Sequence, residues 1–148
     1  MVGVFGSLCV QVAPQGQLLR WKWQDAASYE SFQQSFELIV AASRDHSVTQ
    51  WLADLSTMSP LGINEQQWLS ENWLVQFAAL GIHRIALIEP NSLHNQLVIE
   101  SVLADGRRYT HADIQFFADV PAALDWLTKS DAGVIETLEQ EWQAVLAG

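Results

Sequence analysis

Apolar and polar positions alternate along residues 4–12 and 17–23, and then the period changes. Leu8, Val10 and Val12 fall on one face of a strand. In the second run Leu19, Trp21 and Trp23 share a face, while Leu18, Arg20 and Lys22 share the other. Pro14-Gln15-Gly16 between the runs carries turn chemistry. The pattern predicts a hairpin whose second arm has one buried side and one wet side. Tyr29, Phe32, Phe36, Ile39 and Val40 then recur at helical steps. Asp25 is placed to cap this helix, which ends near Arg44-Asp45-His46.

Residues 48–88 read as strand, loop, helix, strand. Val48 to Leu55 is apolar and β-prone and ends in Asp54-Leu55-Ser56. The loop 55–63 contains Pro60 and Gly62. Asn64 to Leu80 has helical spacing, with Asn64 and Gln67 resembling a capping box and Gly81 standing where a left-handed C-cap belongs. Leu69, Trp73, Phe77 and Leu80 form its inward stripe. At 100° per residue Trp68 and Trp73 cannot both sit at the centre of that stripe. Ile82 to Ile88 is the next strand.

A third helix is expected between Ser92 and Ala104, with Leu93, Leu97, Ile99 and Val102 or Leu103 apolar, followed by a turn at Asp105-Gly106. Ile114 to Phe117 is a short strand. Asp119 or Val120 opens a helix with Pro121 near its first turn, Ala123, Leu124 and Leu127 facing inward and Trp126 beside them. Val134, Ile135, Leu138, Trp142, Val145 and Leu146 stripe a last helix over 131–147.

Strands alternating with helices predict parallel pairing with right-handed crossovers. The expected fold is a single α/β domain over residues 1–148. It comprises a mixed sheet of about five strands, an N-terminal hairpin plus parallel βαβ strands, covered by helices, with an additional C-terminal helix over 131–148.

Composition narrows the partners. A chain of 148 residues buries roughly 68–70% of its unfolded surface, enough for a core without disulfides. Seventeen Asp and Glu against 7 Lys and Arg give a net charge of −10, which repels nucleic acid and anionic lipid surfaces. Residues 131–148 carry Asp131, Glu136, Glu139 and Glu141 and no Lys or Arg. Cys9 stands alone, so no intrachain disulfide forms. No basic residue precedes Arg20, and polar residues interrupt any spanning run before it. A cytoplasmic protein is expected.

Several segments in order resemble the SpoIIAA-like family, relatives of the STAS domains of anti-sigma factor antagonists. They are Trp21-Lys22-Trp23 leading into an aromatic helix, Trp51-Leu52-Ala53-Asp54-Leu55, Glu71-Asn72-Trp73, Arg84-Ile85-Ala86-Leu87-Ile88, and the run from Phe116 to Leu127. The resemblance covers about residues 17–128 and rests on order and spacing. It implies a STAS-like mixed sheet and action by binding partner proteins. The family's Asp-Ser-Ser-Gly phosphorylation loop is replaced here by Asp54-Leu55-Ser56-Thr57-Met58-Ser59-Pro60-Leu61-Gly62, so the phospho-switch does not carry over.

In open α/β sheets ligands bind beyond the carboxyl ends of the strands. Asp54, Ser56, Thr57 and Ser59 belong there, as a docking site or simply as turn-forming residues. Trp68 and the neighbouring Asn72 extend the candidate surface along the second helix. Core packing accounts for Trp73 and Trp142, which sit on stripes. His46, His83, His94 and His111 lack metal-site spacing, and Cys9 reads as a small buried hydrophobe. No phosphate-binding glycine motif or catalytic constellation is present, and no cofactor is called for. The expectation is a non-enzymatic, protein-binding or self-associating module. Its alternative is a carrier of a small apolar ligand held between helices and sheet.

Overall fold

The computed structural model describes residues 2–14 and 17–147. The predicted turn therefore lies outside the described residues at Gln15 and Gly16. Six strands form one sheet in sequential order: β1 (Val2–Phe5), β2 (Leu8–Ala13), β3 (Leu18–Trp23), β4 (Gln50–Asp54), β5 (Arg84–Ile88) and β6 (Asp113–Phe117). β1 to β3 are antiparallel, and β3 to β6 are parallel. The sheet is mixed, as expected, but has one strand more than the pattern suggested. The extra strand arises because Gly6-Ser7 turns the chain between Phe5 and Leu8, with Gly6 at φ +63°.

Sequential parallel strands joined by right-handed crossovers send every crossover helix to one face. These helices are α1 (Tyr29–Asp45), the rod formed by α2 (Ile63–Trp68), a π-helical turn (Leu69–Trp73) and α3 (Leu74–Phe77), and α4 (Leu93–Gly106). They pack on Leu8, Val10, Leu19, Trp21, Trp23, Trp51, Ala53, Ile85 and Leu87. The opposite face, with Leu18, Leu52, Ala86 and Ile88, is covered by α5 (Val120–Thr128) and α6 (Ala132–Ala147).

That second layer corrects the expected wet side of β3. Arg20 is only 4% exposed. It lies under α6, with its guanidinium 4.1 Å from the Trp142 ring and bonded to Glu139. Gln11 Nε2 also donates to the Leu138 carbonyl at 3.0 Å, tying β2 to the same helix.

The helix starts differ from the predicted ones. Ser28, not Asp25, caps α1, its hydroxyl accepting from Ser31 N at 3.1 Å. Gly62, not Asn64, precedes α2, and the Glu65 carboxylate reaches back to the Gly62 N–H at 2.9 Å. Gly81 is not left-handed. Asp105 and Gly106 are the last residues of α4 rather than a turn beyond it.

The π turn lets both tryptophans of the rod pack toward one residue. Trp68 and Trp73 lie 6.3 and 5.1 Å from Phe36, ring centre to ring centre. Neither sits at the centre of the inward stripe, which the sequence pattern said both could not share: both are half-buried, and Leu69, Leu74 and Phe77 are the buried residues of the rod. A π turn adds a residue and so changes the angle between the two tryptophans. Among the described residues no helix is long and apolar enough to cross a membrane.

Candidate functional site

β4 ends in Asp54, and the chain must leave the sheet there without orphaning backbone groups. Asp54 Oδ1 accepts from both Ser56 N and Ser56 Oγ, at 3.0 and 2.6 Å. Its other oxygen faces Lys22 Nζ of the adjacent strand at 3.7 Å. The Thr57 hydroxyl donates to the Trp23 carbonyl. Ser59 Oγ accepts from Ala27 N at 3.2 Å. The four predicted loop residues thus converge at the carboxyl end of β4, each engaged in holding the loop. Thr57 is exposed, Ser56 and Ser59 are half-buried, and Asp54 is buried.

The loop is fastened by Asn95, which the sequence pattern does not single out, and by His94, which that pattern weighs as a metal ligand and not as a loop fastener. Asn95, fully buried in the first turn of α4, accepts from Leu61 N at 2.9 Å and donates to the carbonyls of Ser59 and Met58 at 3.1 and 3.4 Å. His94 Nε2 lies 2.6 Å from the Leu61 carbonyl. Nothing local distinguishes these two residues from surface polar positions; only the parallel crossovers bring α4 beside the loop.

The side chains around the pinned loop are unexpectedly apolar. Of the apolar residues of α4, Leu93 and Leu97 are 73% and 56% exposed, while Val98, Ile99 and Val102 take the core positions. Ile63, at the start of α2, is 82% exposed. Two bonds fix how α2 lies beside α4: Gln66 to Ser101 at 3.3 Å and Ser70 to Asp105 at 2.9 Å. Each joins residues 35 apart in sequence, so the start of α2 runs alongside the first turns of α4. Leu93 lies one turn before Leu97 on the same helix. Ile63 at the start of α2 and Leu93 and Leu97 in the first turns of α4 are thus three exposed aliphatic side chains on the two helix starts that flank the loop.

Trp68 and Asn72 lie farther along the rod. Trp68 is half-buried against Phe32 and Phe36 of α1, and Asn72 is exposed one turn on. They flank the loop region rather than joining the four loop residues at one point.

A concavity of about 460 Å³ lies between the rod, the end of α4 and β6. Trp73, Phe77, Leu103, Ile114 and Phe116 make its apolar wall, with Arg107 at its edge. Trp73 also borders a smaller, wholly apolar cavity beneath Trp21 and Trp51. Its indole N–H is buried and has no acceptor among the described residues.

Cys9 is fully buried in β2. Burial pushes its thiol pKa up, and the nearby Arg20 charge opposes that rise. Among the described residues no group of three or more His, Cys, Asp or Glu is placed to hold a metal ion. No protein-family model matches the chain, and neither does any curated protein or solved structure.

Proposed function

We propose that this chain is a non-catalytic protein-interaction module of SpoIIAA-like type. Its contact face is the end of the sheet where β4 delivers the 55–63 loop. The observation that carries this reading is the exposure of three large aliphatic side chains, Ile63, Leu93 and Leu97, on the helix starts that flank that loop. Large exposed aliphatic side chains grouped together mark contact surfaces, whereas isolated ones do not. These helix starts sit on a frame held by Asn95, His94 and Glu65, so a partner meets a preformed surface and little ordering opposes binding. Thr57 and Pro60 lie exposed at its rim, and Trp68 and Asn72 flank it.

The test compares the tagged full chain with its Ile63→Ser/Leu97→Ser variant. Both should melt at the same temperature, because neither side chain is buried. Proteins retained by the natural chain, including further copies of itself, should be lost from the variant. Equal retention by the two would overturn the reading.

The cleft beside Trp73 favours a second reading, a site for a small apolar or amphipathic molecule. Its volume falls within the usual range for ligand pockets, roughly 300–1,000 Å³. Native mass spectrometry of the purified chain tests this: a bound small molecule lost on Phe77→Ser supports it, and a ligand-free mass opposes it.

A further inference from the structure

The two edges of the sheet are built differently. β6 carries Asp113 and Gln115, both exposed. A charge on an outer strand discourages another strand from pairing there. β1 reads Val2-Gly3-Val4-Phe5 and has no charge, no proline and no bulge. Val4 and Phe5 are 49% and 52% exposed.

The register shows which backbone groups β1 offers. Phe5 pairs with Leu8 across the two-residue Gly6-Ser7 connection, which makes Phe5 and Leu8 a hydrogen-bonded pair. An antiparallel ladder alternates, so the next pair, Val4 with Cys9, is not hydrogen-bonded. The N–H and C=O of Val4 therefore point away from β2, as do those of Val2.

We propose that a second copy of this chain pairs antiparallel along β1, with Val4 facing Val4 across a two-fold axis. Each Val4 then donates to and accepts from the other, and the two sheets become one. In this register Phe5 of one copy stands opposite Gly3 of the other. The Phe5 ring of each chain already lies over its own Gly3, where a Cβ would meet it at 3.0 Å. Charge also selects a copy at this edge. Residues 1–19 carry no Asp, Glu, Lys or Arg in a chain of net charge −10. Two such molecules approach with least repulsion where neither presents an acid. This interface is separate from the face that bears Ile63, Leu93 and Leu97 and does not depend on it.

Sedimentation velocity of the full chain across a concentration series tests the proposal. The natural chain should shift from monomer to dimer as concentration rises. Val4→Lys sets two ammonium groups against each other at the axis and should leave only monomer, with an unchanged melting temperature. Val4→Pro removes the outward N–H, which an edge strand tolerates, and should also give monomer. Val4→Thr keeps backbone and charge and should still dimerise. A chain monomeric at every concentration overturns the proposal. So does a dimer that persists in Val4→Lys, or one dispersed only by Ile63→Ser/Leu97→Ser.

Discussion

The guanidinium of Arg20 lies 4.1 Å from the centre of the Trp142 ring, joining the middle of the sheet to the C-terminal helix. Arg20 also holds Glu139 of that helix, and Trp142 is itself buried. The helix is thus part of the domain's second layer. Trp142→Ala should lower unfolding free energy by about 3–5 kcal/mol, the range for truncating a core tryptophan. Glu139→Gln keeps an acceptor at a partly exposed position and should cost about 1 kcal/mol or less. Chemical denaturation of the two variants measures both. Similar small effects would mean that α6 is not a packed layer.

Asn95 makes the same kind of statement about the loop. Its amide serves three backbone groups from Met58 to Leu61. Asn95→Ala leaves buried donors and acceptors unpaired and should cost about 2–3 kcal/mol. Hydrogen exchange at the Leu61 amide should quicken more than exchange in β4 and β5.

The rod gives a graded prediction. Both tryptophans are half-buried, but Trp73 contacts Phe36, Trp51 and Phe77, whereas Trp68 contacts only Phe32 and Phe36 among the rings. Trp73→Ala should destabilise by about 3 kcal/mol or more, and Trp68→Ala by less. Thermal melts decide the order; the reverse order would contradict the packing around the π turn.

The Cys9 thiol predicts a pH dependence. Burial raises its pKa in the folded chain. Between the unfolded value, about 8.5, and the folded value, the folded chain keeps a proton that the unfolded chain releases. The stabilisation is therefore complete below about pH 8.5 and is lost as pH rises above it. Cys9→Ser should remove that part of the alkaline decline in denaturation midpoint. An aromatic disulfide reagent should modify Cys9 only as the chain unfolds.

The strands and helices were legible because their periods are clean: Leu19, Trp21 and Trp23 alternate, and Phe32, Phe36, Ile39 and Val40 follow a helix. What escaped depended on partners distant in sequence. Arg20 looked solvent-facing because its cover, Trp142 and Glu139, comes from the far end of the chain. In α4 the residues Leu93, Leu97, Val98, Ile99, Val102 and Leu103 are apolar on more than one side, so spacing alone could not choose the inward face. At the loop, Asp54, Ser56, Thr57 and Ser59 were recognisable as a polar crest, but Asn95 was not recognisable as its fastener. Ser28 and Gly62 displaced Asp25 and Asn64 as caps because several adjacent residues are chemically able to cap.

The most direct measurement places a photo-reactive amino acid at position 93 and irradiates cells that make the chain. If the helix starts bearing Ile63, Leu93 and Leu97 are the docking face, discrete protein adducts form from position 93. They should be lost when Ile63→Ser/Leu97→Ser is added, and absent when the probe stands instead at exposed position 100. No adduct from position 93, or the same adducts from both positions, would contradict the docking face.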